Sequence, residues 1–429
     1  MAGVSTFAEF RNHVSHWLVH KGLRLFISTY YALLRLVQLC GPTTRAPGAQ
    51  GYEILLTGSF YSDNWLAAHL QPLALSRHVA RVRIVSTWPV PSLKNVEAIC
   101  PPRWLIHTVG RVTARMLTFV WVAFRTRPHI IGGFHLLLNG LLSVLLARLV
   151  GGRAMYFCVG GPAEMLGGGV TSENRLFERL RRPDPVLERQ LIHAVSTFDI
   201  VITMGQRAID FFRQHGINTE FHVVSGGMDA KRFYASETLA SVDLILVARL
   251  VPIKRIDIFL ETVRHVCNVL PSVTAVIVGD GPLRDTLQAK ADELQVLPNI
   301  TFVGHQANVE NWLRQAKIFV LTSQSEGLAL SLMEAMFCGL PAVVPNVGDL
   351  SELVEDGVNG YLVNEHTPQD FAHHILNLLT NHEQYVQFSQ AARTAAQRYE
   401  SSAIVRRWDE VIAHDHPVSQ AMVSSYSRR

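Results

Sequence analysis

Residues 322–345 read TSQSEGLALSLMEAMFCGLPAVVP, and the reading of this stretch decides the fold. It holds two glutamates, Glu326 and Glu334, with seven residues between them. Residues 316–321 upstream and 341–345 downstream have the apolar composition of buried strands, while the run after Gly327 has that of an apolar helix. Strand, polar loop and helix start together suit an anionic ligand, because the first turn of a helix has N–H groups with no intrahelical partner. Glu326, on the loop, faces whatever binds there. Glu334, about two turns into the helix at 3.6 residues per turn, reaches a second part of an elongated ligand. Taken singly, Glu326 is also a carboxylate favoured by the helix macrodipole and Glu334 an exposed helical residue.

Outward from this stretch, strand and helix signals alternate along most of the chain. Strands are expected at residues 52–57, 81–86, 129–132, 153–158, 199–204 and 220–224, with helices at 67–76, 136–150, 185–197 and from Gln206. The alternation restarts after a loop at 225–236. Strands follow at 242–247, 273–278, 300–303 and 316–321, with helices at 257–270, 283–295 and 309–315. Such alternation predicts an α/β fold, each half a parallel sheet with helices on both faces. Residues 368–414 read as one long helical stretch, and the tail from His416 is Ser-rich.

The 429 residues are enough for two domains with separate cores. Apolar residues make up 48% and charged residues 17%, which excludes disorder and gives an unusually apolar chain. A net charge of +4 gives no argument for nucleic acid. The five cysteines (Cys40, Cys100, Cys158, Cys267, Cys338) are scattered in apolar surroundings and read as buried thiols, neither disulfides nor metal ligands. Arg11, His16, His20, Lys21 and Arg24 interrupt the first apolar stretch, so no cleavable signal is expected; the longest apolar runs, 116–124 and 136–150, fall short of about 20 residues, so no spanning helix is expected and a cytoplasmic protein is. Residues 1–40 and 103–127 both interleave aromatics and aliphatics with arginine, the second with Arg103, Arg111, Arg115, Arg125 and Arg127. The first reads equally as a basic amphipathic helix on a membrane surface or as a helix packed on its domain, and two such segments in one half favour a surface facing the inner side of a membrane.

Three further turns carry chemistry. Arg249 and Lys254 follow the first strand of the second half, at the carboxyl end where open α/β sheets bind ligands; together they suit a pyrophosphate, or form a solvated pair. Gly279-Asp280-Gly281-Pro282 follows the next strand, where small residues admit close backbone approach and Pro282 opens a helix. Val303-Gly304 ends the strand after that. No Asp-x-Asp and no His/Cys cluster suits a metal, so none is expected.

Ser325-Glu326-Gly327, Leu332-Met333-Glu334-Ala335-Met336, Gly339 and Pro341 resemble the glutamate-pair motif of retaining, nucleotide-sugar-dependent glycosyltransferases of family 4, within glycosyl transferases group 1. The Arg249–Lys254 turn, the Gly279–Pro282 turn, Val303-Gly304 and the loop Gly227-Met228-Asp229 with Phe233 match the same family in order across residues 227–363. The resemblance implies the GT-B fold: two Rossmann-like, doubly wound domains facing each other across a cleft that closes about residue 230. The implied boundaries are an N-terminal helical segment at 1–50, an acceptor domain at 51–230, a donor domain at 231–395, and a crossing helix with tail at 396–429.

By that resemblance the reaction is transfer from a UDP- or GDP-linked sugar to a sugar, polysaccharide or lipid-linked acceptor, without metal or other cofactor. Glu326 holds the transferred sugar near its anomeric carbon, Glu334 the donor ribose, and Arg249 and Lys254 the diphosphate. Gly58, Gly279, Gly281, Pro282, Val303, Gly304, Gly327 and Leu328 border the donor, and the backbone of Ala329, Leu330 and Ser331 meets its phosphates. Two departures stand out. Arg255 occupies a place where the family commonly has glycine, so the turn differs or the cationic site is enlarged. Gly160-Gly161 occupies the place of a family histidine, leaving His135, which also reads as a satisfied structural histidine, or Glu164 as the first-domain polar group. A nucleotide-sugar-binding regulator, or a phosphorylase or epimerase of the same fold, is the alternative.

Overall fold

The computed structural model describes residues 3–60, 62–170, 182–236 and 240–414, with side chains throughout except those of 3–18 and His414. The Ser-rich tail from His416 lies outside these residues. The chain divides into two compact units, one running to Val224 and taking up the chain again from Val405, the other spanning Ser225–Ile404.

The first unit is built on a seven-stranded parallel sheet. Its strands are β1 (Tyr52–Thr57), β2 (Val79–Val85), β3 (Val96–Ile99), β4 (Ile130–Phe134), β5 (Arg153–Cys158), β6 (Ile200–Thr203) and β7 (Glu220–Val223), in the order β3-β2-β1-β4-β5-β6-β7. Every residue of β4 and β6 is buried, as strands covered by helices on both faces require. The edge strand β3 escapes a reading by apolar runs because it pairs through charge. Glu97 accepts from Arg83 Nε at 3.0 Å, and Arg83 reaches Glu53 at 3.1 Å.

The segment 1–40 forms one helix, Gly3–Cys40. Ile27, Tyr30 and Leu34 recur at helical spacing and join the buried core with the helices Leu141–Val150 and Pro185–Val195. Asp184 fixes this docking. It caps the helix Pro185–Val195 through the amides of Val186 and Leu187, receives Arg24 at 2.7 and 2.9 Å, and meets His20 Nδ1 at 2.7 Å. Burial pushes its carboxyl up, but Arg24, His20 and the Leu187 amide outweigh burial and hold it down at about 2. A depressed carboxyl stabilises the fold above its ordinary value of 3.8, and that contribution is lost as pH falls through about 2. Asp184→Ala is therefore expected to cost on the order of 3 kcal/mol near neutrality. In denaturant titrations the gap between variant and wild type should narrow as pH falls from about 4 toward about 2; a gap that does not respond to acid counts against the ion pairs.

Val19–Cys40 is long and apolar enough to cross a membrane by length and composition, at mean hydropathy 1.2. This corrects the expectation that no segment would qualify: Lys21, Arg24 and Arg35 interrupt the apolar run but not the helix. Its face opposite Ile27 and Leu34 leaves Leu25, Leu36 and Leu39 exposed. The segment 103–127 breaks at Gly110 into the helices Arg103–Val109 and Arg111–Thr126. Arg115, grouped above with a basic surface, is instead buried. Cys40 and Cys100 are exposed, against the expectation of buried thiols, whereas Cys158 and Cys338 are buried; none of the five is in a disulfide.

The second unit carries a six-stranded parallel sheet. Its strands are β8 (Val242–Val247), β9 (Ala275–Val278), β10 (Ile300–Gly304), β11 (Ala316–Val320), β12 (Ala342–Pro345) and β13 (Gly360–Val363), in the order β10-β9-β8-β11-β12-β13. In both sheets the order of strand addition thus reverses once, between β1 and β4 and between β8 and β11. In open α/β sheets the loops at such a reversal diverge at the strands' carboxyl ends and leave a crevice for ligand. The expected long helix from 368 is three helices, Pro368–Thr380, His382–Ala396 and Ser401–His414. Asn381 separates the first two, ending one and capping the next by accepting from Gln384 N–H.

Candidate active site

The residues singled out in the second unit gather at the carboxyl ends of four neighbouring strands. Arg249 and Lys254 follow β8, Gly279, Gly281 and Pro282 follow β9, Val303 and Gly304 end β10, and Glu326 to Ser331 follow β11. Backbone bonds lock these loops together. Gly279 N–H donates to Gly304 O at 2.8 Å, Leu250 N–H to Asp280 O at 3.0 Å, and Gln324 N–H to Ile253 O at 2.8 Å. The Thr322 hydroxyl adds a bond to Arg255 O at 2.9 Å.

Across the reversal between β8 and β11, Lys254 and Glu326 meet. Lys254 Nζ lies 2.7 and 2.8 Å from the two Glu326 oxygens, and the Ser323 hydroxyl donates to Oε1 at 2.6 Å. The Glu326 side chain is only 8% exposed and that of Lys254 17%. Two charges so far from water are tolerable because each neutralises the other. Sequence reading placed both residues at the site but missed the direct pair and Ser323, although Ser323 lies within the quoted stretch.

Gly348, beyond β12, was also missed. A Cβ there would stand 1.8 Å from Glu326 O, so the loop after β12 presses on the backbone of Glu326. Gly279 and Gly281 make similar approaches, to Ala248 O and Leu250 O. Their small size serves the contact between loops. Pro282 precedes the helix Arg284–Glu293 by a turn residue, rather than opening it.

The helix after Glu326 is Leu330–Phe337, with Ala329 as its N-cap. Ala329, Leu330 and Ser331 are partly exposed at its start, and Leu328 is buried. Glu334 therefore lies little more than one turn into the helix, not two, and it is buried, not exposed. Behind it, burial pushes the Cys338 thiol up to about 12, which leaves that thiol inert.

Arg255 resolves one departure from the family pattern. Its backbone has φ 46° and ψ 44°, the left-handed conformation that glycine adopts without strain. Its guanidinium turns to Asp257, donating at 3.0 and 2.9 Å. The turn keeps its glycine shape, with the side chain engaged by the following helix. Arg255→Ala keeps the strain and loses the pair, whereas Arg255→Gly removes both. The glycine variant should exceed the alanine variant in stability by about 1 kcal/mol; thermal melts in which alanine equals or exceeds glycine would show that the turn is unstrained.

In the first unit, Gly58 follows β1 and His135 follows β4, again on either side of the reversal. Beneath them the buried Arg115 donates to Gly58 O and, at 3.0 Å, to Asn139 Oδ1. Asn139 Nδ2 in turn holds Phe134 O at 2.7 Å. His135 has φ 66° and ψ 144°, a strained region for a residue with a Cβ. Its Nδ1 lies 3.1 Å from Glu164 Oε1. Burial pushes the Glu164 carboxyl up, but His135 and the amides of Leu136 and Gly160 outweigh burial and hold it below its usual range. Among the described residues no group of three or more His, Cys, Asp or Glu could hold a metal.

Residues 232–395, within the second unit, match the family model for glycosyl transferases group 1. It is 29% identical over 213 residues to a poly(ribitol-phosphate) alpha-N-acetylglucosaminyltransferase of Staphylococcus aureus, covering 49% of this chain and 42% of that protein. It is 37% identical over 142 residues to a D-inositol 3-phosphate glycosyltransferase of Mycobacterium sp., covering 31% of each. The chain thus spans less than half the length of each of these curated relatives. The solved structure of Anabaena HepE with UDP and glucose aligns over 84% of this chain and 99% of that one, at 18% identity and TM-score 0.66. The fold is GT-B.

Proposed function

We propose that the chain is a retaining, metal-independent glycosyltransferase of family 4 that moves a sugar from a UDP- or GDP-linked donor to an acceptor. The observation that carries the reading is the Lys254–Glu326 pair at the reversal of the second sheet. A diphosphate entering beside the pair gives Lys254 a second anion to neutralise, and with Arg249 it offsets the charge that builds on the leaving group. Glu326, held by Ser323, then presents its carboxylate to the hydroxyls and the developing positive charge near the anomeric carbon. Glu334 accepts from the donor ribose hydroxyls, and the backbone of Ala329–Ser331 donates to phosphate. His135 is the polar group of the first unit, which binds the acceptor.

The test is nucleotide release from UDP-, GDP- and ADP-sugars, with and without a membrane lipid extract, by wild type and Glu326→Ala. Release stimulated by acceptor and lost in the variant is the expected result. Donor binding without release under every condition favours a regulator and overturns the transferase reading.

The acceptor in this reading is lipid-linked or membrane-proximal, within cell-surface polysaccharide or glycolipid assembly, and the protein works on the inner face of the membrane. Exposed Leu117, Trp121 and Phe124 on the helix Arg111–Thr126, with Arg125 5.6 Å over the Trp121 ring, support this placement. Vesicles containing anionic lipid should carry the protein on flotation, and Trp121→Ala with Phe124→Ala should weaken that binding at least tenfold. Protein that stays at the bottom of the gradient removes the membrane from the proposal.

A further inference from the structure

The Glu164 carboxylate is held by more donors than a surface acid needs. Oε1 meets His135 Nδ1 at 3.1 Å and accepts from Gly160 N–H at 3.0 Å. Oε2 accepts from Leu136 N–H at 2.9 Å and from the Tyr156 hydroxyl at 3.0 Å. The side chain is 11% exposed, whereas that of His135 is 37% exposed. The acid is therefore interior and the imidazole accessible. The backbone around them is cut to fit: a Cβ on Gly160 would lie 3.0 Å from Glu164 Cγ and 3.1 Å from Oε1. His135 keeps its strained backbone beside this anchor, at the carboxyl end of β4 where the sheet reverses. Strain of that kind persists only where the surroundings over-determine it.

We propose that Glu164 is the positioning residue for His135: its carboxylate accepts the hydrogen bond from Nδ1–H and fixes the ring so that Nε2 accepts a hydrogen bond from a hydroxyl of the sugar acceptor. This rests on the transferase reading for the identity of the ligand, though not for the state of the ring. The carboxylate selects the tautomer, as the third member does in acid–histidine pairs generally. Tyr156 and the two amides hold the carboxylate itself, so the ring's direction is set from the core outward.

Two measurements on the full chain test this. Nitrogen-15 spectra of labelled histidine, with the His135 signal assigned by its loss in His135→Asn, should show Nδ1 protonated in wild type; a ring protonated on Nε2 alone overturns the proposal whether or not transfer occurs. Glu164→Gln should then lower acceptor-dependent kcat by about 10–100-fold while leaving the donor KM unchanged. The pair Glu164→Gln with His135→Asn should be no worse than His135→Asn alone. Multiplicative losses in the double variant overturn the coupling.

Should Glu164→Gln fail to fold, Gly160→Ala serves in its place. Its backbone, at φ −90° and ψ 3°, suits any residue, so the added methyl acts through its contact with Glu164. Reduced kcat with an altered His135 signal is expected there, and an unchanged signal with wild-type turnover counts against the proposal. If wild type transfers nothing from any donor, the functional reading falls while the tautomer still decides the inference.

Discussion

Replacing Glu326 with glutamine should lower acceptor-dependent sugar transfer by about 10²–10³-fold, the range for removing one well-placed charged group from a reaction centre. Glutamine preserves the length of the side chain and a carbonyl that can still accept from Ser323. What disappears is the negative charge that faces Lys254 at 2.7 Å. If Glu326 acts in the transition state, kcat falls and donor KM moves little. If its task is only to hold Lys254 in place for the diphosphate, donor affinity should change instead, because the lysine would lie nearly buried without its partner. Initial rates against donor concentration separate these cases, and a variant with wild-type kcat would remove Glu326 from the chemistry altogether.

Gly348→Ala should destabilise the second unit by about 2–4 kcal/mol, combining left-handed backbone strain with overpacking, and should lower the melting temperature by on the order of 10 °C. The residue has φ +53°, and its added methyl would sit 1.8 Å from Glu326 O. Neither partner can turn aside, because both are backbone. The loop after β12 or the loop after β11 must move, and in either case the Glu326 carboxylate leaves Lys254. Activity should therefore fall with stability. Gly357→Ala supplies the control: it shares a left-handed φ of +74° but has nothing within 4 Å of the added methyl. Equal melting temperatures for the two variants would mean that the contact with Glu326 contributes nothing.

Most of the second unit was legible because its signals are local. The strands β8 to β12 are apolar runs bounded by glycine, proline or polar turns, and the motif from Ser325 to Pro341 is contiguous in the chain. β13 escaped, being only Gly360–Val363 with tyrosine and glycine among its residues. In the first unit β3 was hidden because Glu97 is stabilised by arginines from the neighbouring strand, a relation with no local trace. The same holds for Arg115, which looks like one arginine among several and is recognisable only by the carbonyl it meets. The site divides likewise. Lys254 and Glu326 were each placed by local pattern, but their pairing joins residues 72 positions apart. Gly348 acts through an approach of backbone to backbone, which no side-chain pattern records.

The first unit takes its last helix from the far end of the chain. Trp408 is buried against Phe157, and Asp409 accepts from the Ser76 hydroxyl at 2.6 Å and the Arg77 amide at 2.9 Å. During synthesis these partners are separated by the whole of Ser225–Ile404. At about 5–20 residues per second, the ribosome needs on the order of ten to forty seconds to deliver them. The second unit, contiguous in sequence, can close as soon as it emerges, while the first waits with the patch around Phe157 uncovered. The first unit, begun before the second, is thus completed after it, and a chain released before Val405 would carry a finished second unit and an open first one.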